Sequence, residues 1–281
     1  MQQIETINEL RNLRNAWRLE KKTVAFVPTM GNLHAGHLAL VEKAKTLADY
    51  VVVSIFVNPM QFGQNEDLST YPRTLEEDKA ALAELGVNVV FTPHAEEVYP
   101  RGLAQQTQVE VPAISNILCG ASRPGHFQGV ATVVCKFFNM LQPEFAVFGK
   151  KDYQQLLVIK MMVADLSIST EIVGVDTKRN EDGLALSSRN GYLSTEQLNC
   201  ATIIQKSLQR LSQALKNQQP LADAIAEARQ DWVKHDIKPD YLEVRRQSDL
   251  LLPESTDQSL VILAAAYVGK TRLIDNLEVQ L

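Results

Sequence analysis

The chain is poor in cysteine. Among its 281 residues there are three, Cys119, Cys135 and Cys200, and no two lie at Cys-x-x-Cys spacing. An odd, scattered set excludes a disulfide framework, fits a reducing compartment and leaves the thiols as small apolar packing groups. Long hydrophobic runs are also missing. Stretches such as 51–57 and 260–268 are too short to span a bilayer as helices, and Met1-Gln2-Gln3-Ile4-Glu5 has no apolar signal region. A cytoplasmic protein without a membrane partner is expected. There is no basic excess: 28 Lys and Arg stand against 33 Asp and Glu, a net charge of −5, which argues against a nucleic-acid partner. No Gly-x-Gly-x-x-Gly follows a strand. Gly269-Lys270-Thr271 imitates the end of a P-loop, but the first glycine of that motif falls on Ala264, and Gly269 follows directly on an apolar run. Internal repeats and low-complexity tracts are absent.

What is present is an ordinary soluble composition, 45% hydrophobic and 22% charged, in a chain long enough for two domains. The pattern predicts a charged amphipathic helix over 5–20, a buried strand over 24–28, a helix over 36–48 and a β-branched strand over 51–57. Apolar strands flanking a helix signal a parallel βαβ unit covered on both faces. Further helices are expected over 74–85, 130–140 and 152–166, with strands over 87–91, 145–148 and 171–175. Residues 1–175 therefore predict a Rossmann-like, doubly wound parallel α/β sheet, whose ligands bind beyond the carboxyl ends of the strands. From 176 to 281 the character changes. Polar amphipathic helices over 195–217 and 221–234 precede strands over 241–245, 260–268 and 272–279, which predicts a smaller α+β domain with an antiparallel sheet.

Several stretches carry residues suited to chemistry. Pro28-Thr29-Met30-Gly31-Asn32-Leu33-His34-Ala35-Gly36-His37 lies where the first buried strand gives way to a helix. Such a position offers unpaired N–H groups and the positive end of a helix dipole to a phosphate. His34 and His37, three apart, share one face and can serve either as caps or as donors to a phosphoryl group in its transition state. A zinc site would need further ligands, and no cysteine stands near. Gly149-Lys150-Lys151-Asp152-Tyr153-Gln154-Gln155 occupies an equivalent strand-to-helix edge. There a lysine can neutralise phosphate, while Asp152 with Gln155 also reads as a helix cap. Ser187-Ser188-Arg189-Asn190-Gly191 reads as a phosphate clamp or as a solvated turn before a helix capped by Ser194 with Gln197. Asn58 and Gln61, leaving the second buried strand, suit a hydroxy acid or a plain turn. Arg123-Pro124-Gly125-His126-Phe127 is a further candidate, or a structural turn into the helix expected from Val130.

Together PTMGNLHAGH (28–37), SIFVNPMQF (54–62), YPRT (71–74), ASRPGHFQGVATVV (121–134), FGKKDYQQ (148–155) and DGLALSSRNGYL (182–193) closely resemble the pantothenate synthetase family, within the HxGH nucleotidyltransferase superfamily. The resemblance implies a ligase that joins pantoate to β-alanine with ATP, releasing AMP and pyrophosphate. It implies magnesium, a homodimer, and a second half that closes over the nucleotide. On this sequence it implies that His34 and His37 contact ATP phosphates, His37 as proton donor. Met30, Gly31 and the Gly149, Lys150, Lys151, Asp152 stretch lie at the nucleotide, with Lys151 on the α-phosphate. Leu186, Ser187, Ser188 and Arg189 hold the triphosphate, Lys178 contributes a nucleotide contact, and Gln61 and Gln155 bind pantoate. Asn58, Arg123 and His126 join these as substrate-site candidates, and the family's metal position after YPRT falls on Glu77 and Asp78. Competing readings are an HxGH nucleotidyltransferase that transfers an adenylyl group without forming an amide, a tRNA synthetase core, against which the absence of a basic anticodon-binding domain speaks, and a non-catalytic nucleotide sensor.

Overall fold

The computed structural model describes residues 1–64 and 66–281 and divides into two compact units. The first comprises Met1–Lys150 and Gln155–Asp176, the second Lys151–Gln154 and Thr177–Leu281.

The first unit is a six-stranded, wholly parallel sheet formed by β1 (Gln2–Ile4), β2 (Val24–Thr29), β3 (Tyr50–Ile55), β4 (Val89–Phe91), β5 (Phe145–Gly149) and β6 (Glu171–Val175). The strand order is β1-β4-β3-β2-β5-β6. The helices are α1 (Ile7–Leu19), α2 (Ala35–Lys45), α3 (Leu75–Glu84), the short α4 (Ala95–Val98) and α5 (Cys119–Ser122), α6 (His126–Leu141) and α7 (Tyr153–Asp165). Thr6 starts α1 by a capping box. Its hydroxyl accepts the Glu9 N–H (3.3 Å), and the Glu9 carboxylate accepts the Thr6 N–H (3.2 Å).

The apolar strands are continuous because both faces of the sheet are covered. Alternate side chains point to opposite faces. Ala25, Val27, Val51 and Val53 pack with Leu40, Val41 and Ala44 of α2. Phe26 and Phe91 meet Phe137 of α6 edge-on, at ring-centroid distances of 5.7 and 6.0 Å.

The expected elements are all present, with shifted ends. Gly125, at φ +80°, lets α6 start at His126 rather than Val130. The Val87 N–H still bonds back to Leu82 O of α3, and β4 starts at Val89. Lys150–Asp152 forms a 3₁₀ turn before α7. The three-residue β1 has no periodicity to show in the sequence and is recognised only by its pairing with β4.

The second unit holds α8 (Thr195–Lys216), α9 (Leu221–Lys234) and the antiparallel sheet β7-β8-β9 (Ile237–Arg246, Ser259–Val268, Thr271–Gln280). Ile204, Leu208 and Leu211 of α8 and Trp232 of α9 pack on Leu260, Ile262, Ala264 and Ala266 of β8. The fully buried Trp232 donates its indole N–H to Ser207 Oγ (3.0 Å). Ser194 caps α8 as expected, exchanging bonds with Gln197 (3.3 and 3.0 Å). Gly269 and Lys270 are the two-residue turn between β8 and β9, with Gly269 at φ +58°, so the P-loop imitation is a hairpin. Among the described residues no helix is long and apolar enough to cross a membrane.

Candidate functional site

In the first unit the strand order reverses at β2, which lies between β3 and β5. Crossovers that leave in opposite directions open a crevice at the carboxyl ends of these strands. The residues that leave the two strands there are Met30 and Gly31 after β2, and Lys150 after Gly149 at the end of β5. Two candidate stretches far apart in sequence thus emerge side by side, because β2 and β5 are hydrogen-bonded neighbours (Ala25 opposite Phe145).

The turn after β2 is unusual in its backbone. Gly31 and Asn32 both have positive φ, +80° and +50°. A Cβ on Gly31 would lie 3.0 Å from both Asp78 Oδ2 and Ile55 Cγ2. The turn is held by Asp78, which is 3% exposed. Its Oδ2 accepts the Asn32 N–H (2.8 Å), its Oδ1 accepts the Leu33 N–H (2.7 Å), and the Thr74 hydroxyl also donates to Oδ1 (3.2 Å).

His34 is the N-cap of α2, and both imidazoles are pinned by backbone. His34 Nδ1 accepts the Gly36 N–H (3.1 Å), and His37 Nδ1 accepts the His34 N–H (3.4 Å). The ring centroids are 4.1 Å apart. An imidazole whose Nδ1 accepts a hydrogen bond carries its proton on Nε2 when neutral. Capping and phosphate donation therefore use different nitrogens of the same rings, and the two sequence readings coexist.

Asn58, a substrate-site candidate from the sequence, is tied into the scaffold. It is 1% exposed. Its Oδ1 accepts from Tyr99 Oη (2.7 Å) and the Met60 N–H (3.3 Å), while Nδ2 donates to Gly129 O (3.2 Å) and Gln61 Oε1 (3.1 Å). With every polar position of its amide committed, Asn58 orients Gln61. The Gln61 amide nitrogen is turned toward Met30 Sδ (3.2 Å), so these two expected site residues do meet.

Arg123 and His126 likewise act as a brace. Arg123 holds Glu66 in a two-pronged pair (Nε–Oε1 2.6 Å, NH2–Oε2 2.5 Å) and lies 3.1 Å from His126 Nε2. His126 Nδ1 is 2.9 Å from the Gln61 carbonyl, which fixes it as the donor nitrogen. Burial raises the Glu66 carboxyl, but the hydrogen bonds and charge of Arg123 outweigh it and hold the group below the usual range. Both residues are substrate-site candidates from the sequence, and their polar groups also support the backbone of Gln61. They also border a cavity of about 580 Å³ beside Gln61. Lys150 Nζ pairs with Asp176 (2.9 Å), and Gln155 lies half-buried in the first turn of α7.

The second unit joins the remaining candidates through backbone. The Leu186 N–H donates to Lys178 O (2.9 Å), and Arg179 pairs with Ala185, so residues 178–186 fold back on themselves. Gly183 turns the tip at φ +89°. This fold-back sets Lys178 beside the Leu186, Ser187, Ser188 and Arg189 run. Ser187 Oγ then accepts the Arg189 N–H (3.3 Å) to start a 3₁₀ turn, Ser188–Tyr192. Its anchor is a residue that sequence reasoning passed over. Arg179 grips the buried Asp275 of β9 with both terminal nitrogens (2.7 and 2.8 Å). Asp275→Asn is expected to lower the stability of this unit by about 2 kcal/mol, because the guanidinium loses its charged partner; urea unfolding measures it, and an unchanged midpoint contradicts the anchoring. Within the second unit the Lys151 carbonyl accepts from Asn276 Nδ2 (2.8 Å), and Tyr153 Oη bonds Glu278 (3.1 Å), which tie the 151–154 segment to β9. Asp152 is exposed.

The expected metal pair does not converge. Glu77 is exposed while Asp78 is buried with three donors on it. Among the described residues no group of three His, Cys, Asp or Glu side chains is placed to hold a metal ion. Asp78 as the keeper of the Gly31–Leu33 turn had no sequence signal, since its partners lie 45 and 46 residues away.

Comparison with known proteins gives matches along nearly the whole chain. The family model for pantoate-beta-alanine ligase matches residues 2–278. Pantothenate synthetase of Shewanella halifaxensis is 58% identical, covering 97% of this chain and 96% of its own. That of Shewanella pealeana is 57% identical, covering 99% and 98%. A crystal structure of pantothenate synthetase from Thermus thermophilus superposes with a TM-score of 0.92 at 45% identity, covering all of both chains. Pantoate-beta-alanine ligase from Francisella tularensis, complexed with beta-gamma ATP and beta-alanine, gives 0.80 at 36% identity over 99% and 97%. With its parallel sheet, its paired histidines and a match from residue 2 to residue 278, the chain belongs to the pantoate-beta-alanine ligase family.

Proposed function

We propose that the chain condenses (R)-pantoate with β-alanine to give pantothenate, using ATP and releasing AMP and diphosphate through a pantoyl-adenylate. The observation that carries this reading is the end-to-end family match, together with two Nε2–H imidazoles at the start of α2 beside the strand-order reversal.

In the first half-reaction a pantoate carboxylate oxygen attacks the α-phosphorus, the bond to the bridging oxygen breaks, and diphosphate leaves. Two anions meet, so donors and positive charge must be aimed at the phosphoryl oxygens as charge builds on them. His34 and His37 donate from Nε2, and Lys151 and Arg189 supply charge. The start of α2 adds the positive end of its dipole. Met30, Gly31, Gly149, Lys178, Leu186, Ser187 and Ser188 contact the nucleotide, and Gln61 and Gln155 hold pantoate. In the second half-reaction the free amine of β-alanine attacks the acyl carbon, the bond to AMP breaks, and the amine loses its proton. The mixed anhydride is already activated, so positioning and exclusion of water suffice and no enzyme nucleophile enters. Magnesium arrives as the ion of the ATP complex. The family resemblance supports a cytoplasmic homodimer.

Incubation with ATP, pantoate and β-alanine, followed by mass detection, should yield pantothenate and AMP. Diphosphate released without amide would favour adenylyl transfer alone. Lys151→Ala should lower pantoate-dependent diphosphate release by about 100-fold, the scale of losing one transition-state donor. A rate near that of the unaltered protein removes Lys151 from the phosphate.

A further inference from the structure

We infer that Asp78 is a positioning residue for the nucleotide turn, and that neither Asp78 nor Glu77 supplies a carboxylate to magnesium. The inference rests on the ligase reading for its link to ATP, but its hydrogen-bond core does not.

A magnesium ligand offers free oxygen lone pairs to a small ion that keeps several waters and demands near-octahedral geometry. A carboxylate has about four acceptor positions. Asp78 spends three of them, on the Asn32 N–H, the Leu33 N–H and the Thr74 hydroxyl, and it is 3% exposed, which leaves no room for a hydrated ion. Glu77 precedes it on α3, about 100° around the helix, and is exposed to solvent. The pair therefore presents two faces rather than one chelating edge.

The geometry does explain what a carboxylate is needed for at position 78. Gly31 and Asn32 both have positive φ, a conformation that L-residues rarely adopt and that surrounding bonds must hold. Two successive N–H groups there need one acceptor with two oxygens, and an ionised carboxylate is the side chain that receives both. Thr74, at the N-cap of α3, makes no capping bond and donates to Asp78 instead. The turn so held leads directly into His34 and His37. Asp78 thereby sets where the two imidazoles stand without touching the nucleotide.

Asp78→Asn keeps the shape but puts an NH₂ against one of the two N–H groups. A fluorescent ATP analogue should bind at least tenfold more weakly, and KM for ATP should rise by the same factor. The magnesium concentration giving half-maximal rate, measured with saturating nucleotide, should stay within twofold. Mn²⁺ titration followed by electron paramagnetic resonance, with no nucleotide present, should show no saturable site on the unaltered protein. If Asp78→Asn does not fold, Glu77→Gln provides the same metal readout, with an unchanged magnesium requirement expected. A saturable Mn²⁺ site on the nucleotide-free protein, or a tenfold rise in the magnesium requirement of either variant, overturns the inference, as does unweakened analogue binding by Asp78→Asn. Absence of pantothenate from the unaltered protein would sink the ligase reading instead, while the Mn²⁺ and analogue measurements would still judge Asp78.

Discussion

Gly129→Ala is expected to lower stability by about 3 kcal/mol, the cost of forcing extra volume into a packed contact. The added Cβ would fall 2.4 Å from Met60 O, 2.6 Å from Met60 C and 2.8 Å from Gln61 N. All three are backbone atoms, so no flexible side chain can move aside. The direction opposes the usual one: within a helix, alanine is favoured over glycine by about 1 kcal/mol. Here α6 approaches the Pro59–Gln61 turn so closely that the Gly129 carbonyl takes a bond from Asn58 Nδ2 at 3.2 Å. Relief requires α6 and the turn to part, and that carries Gln61 off its position. Urea unfolding followed by circular dichroism measures the loss, and any folded fraction should show a raised KM for pantoate. An unchanged midpoint would mean that the contact relaxes freely.

His37→Asn should reduce pantoate-dependent diphosphate release by about a thousand-fold, near the upper range for removing one preorganised donor. The substitution is chosen for what it retains. Asparagine Oδ1 occupies the place of Nδ1 and can accept the His34 N–H, so the start of α2 keeps its cap. The Nε2–H is deleted. The melting temperature should therefore stay close to that of the unaltered protein while the rate collapses. A rate within tenfold of the unaltered protein would assign His37 to capping alone.

These two substitutions also mark where sequence reading succeeds and where it stops. The HxGH pair is legible because a strand, a glycine turn and a helix start are all local signals, and the capping bonds that orient the rings join residues two or three apart. Gly129 is legible only as part of a motif, since its partner Met60 lies on another element. Asn58 and Gln61 look equivalent in sequence, as neutral amides leaving β3. They differ because Tyr99 and Gly129, 41 and 71 residues away, fill the amide of Asn58. For Arg123 and His126, a charged loop motif does not reveal that Glu66 and the Gln61 carbonyl engage it.

By itself the sequence determined the parallel α/β class, the helices and strands to within a few residues, the antiparallel second sheet, and the family. Each follows from periodicity, caps and contiguous motifs, which act over one element at a time. Only the tertiary structure decided which of two similar amides is locked into the scaffold, and that Asp78 holds the turn after β2. Those outcomes depend on where hydrogen-bond partners from separate elements come together, and sheet order and helix packing, not local pattern, choose which of them meet.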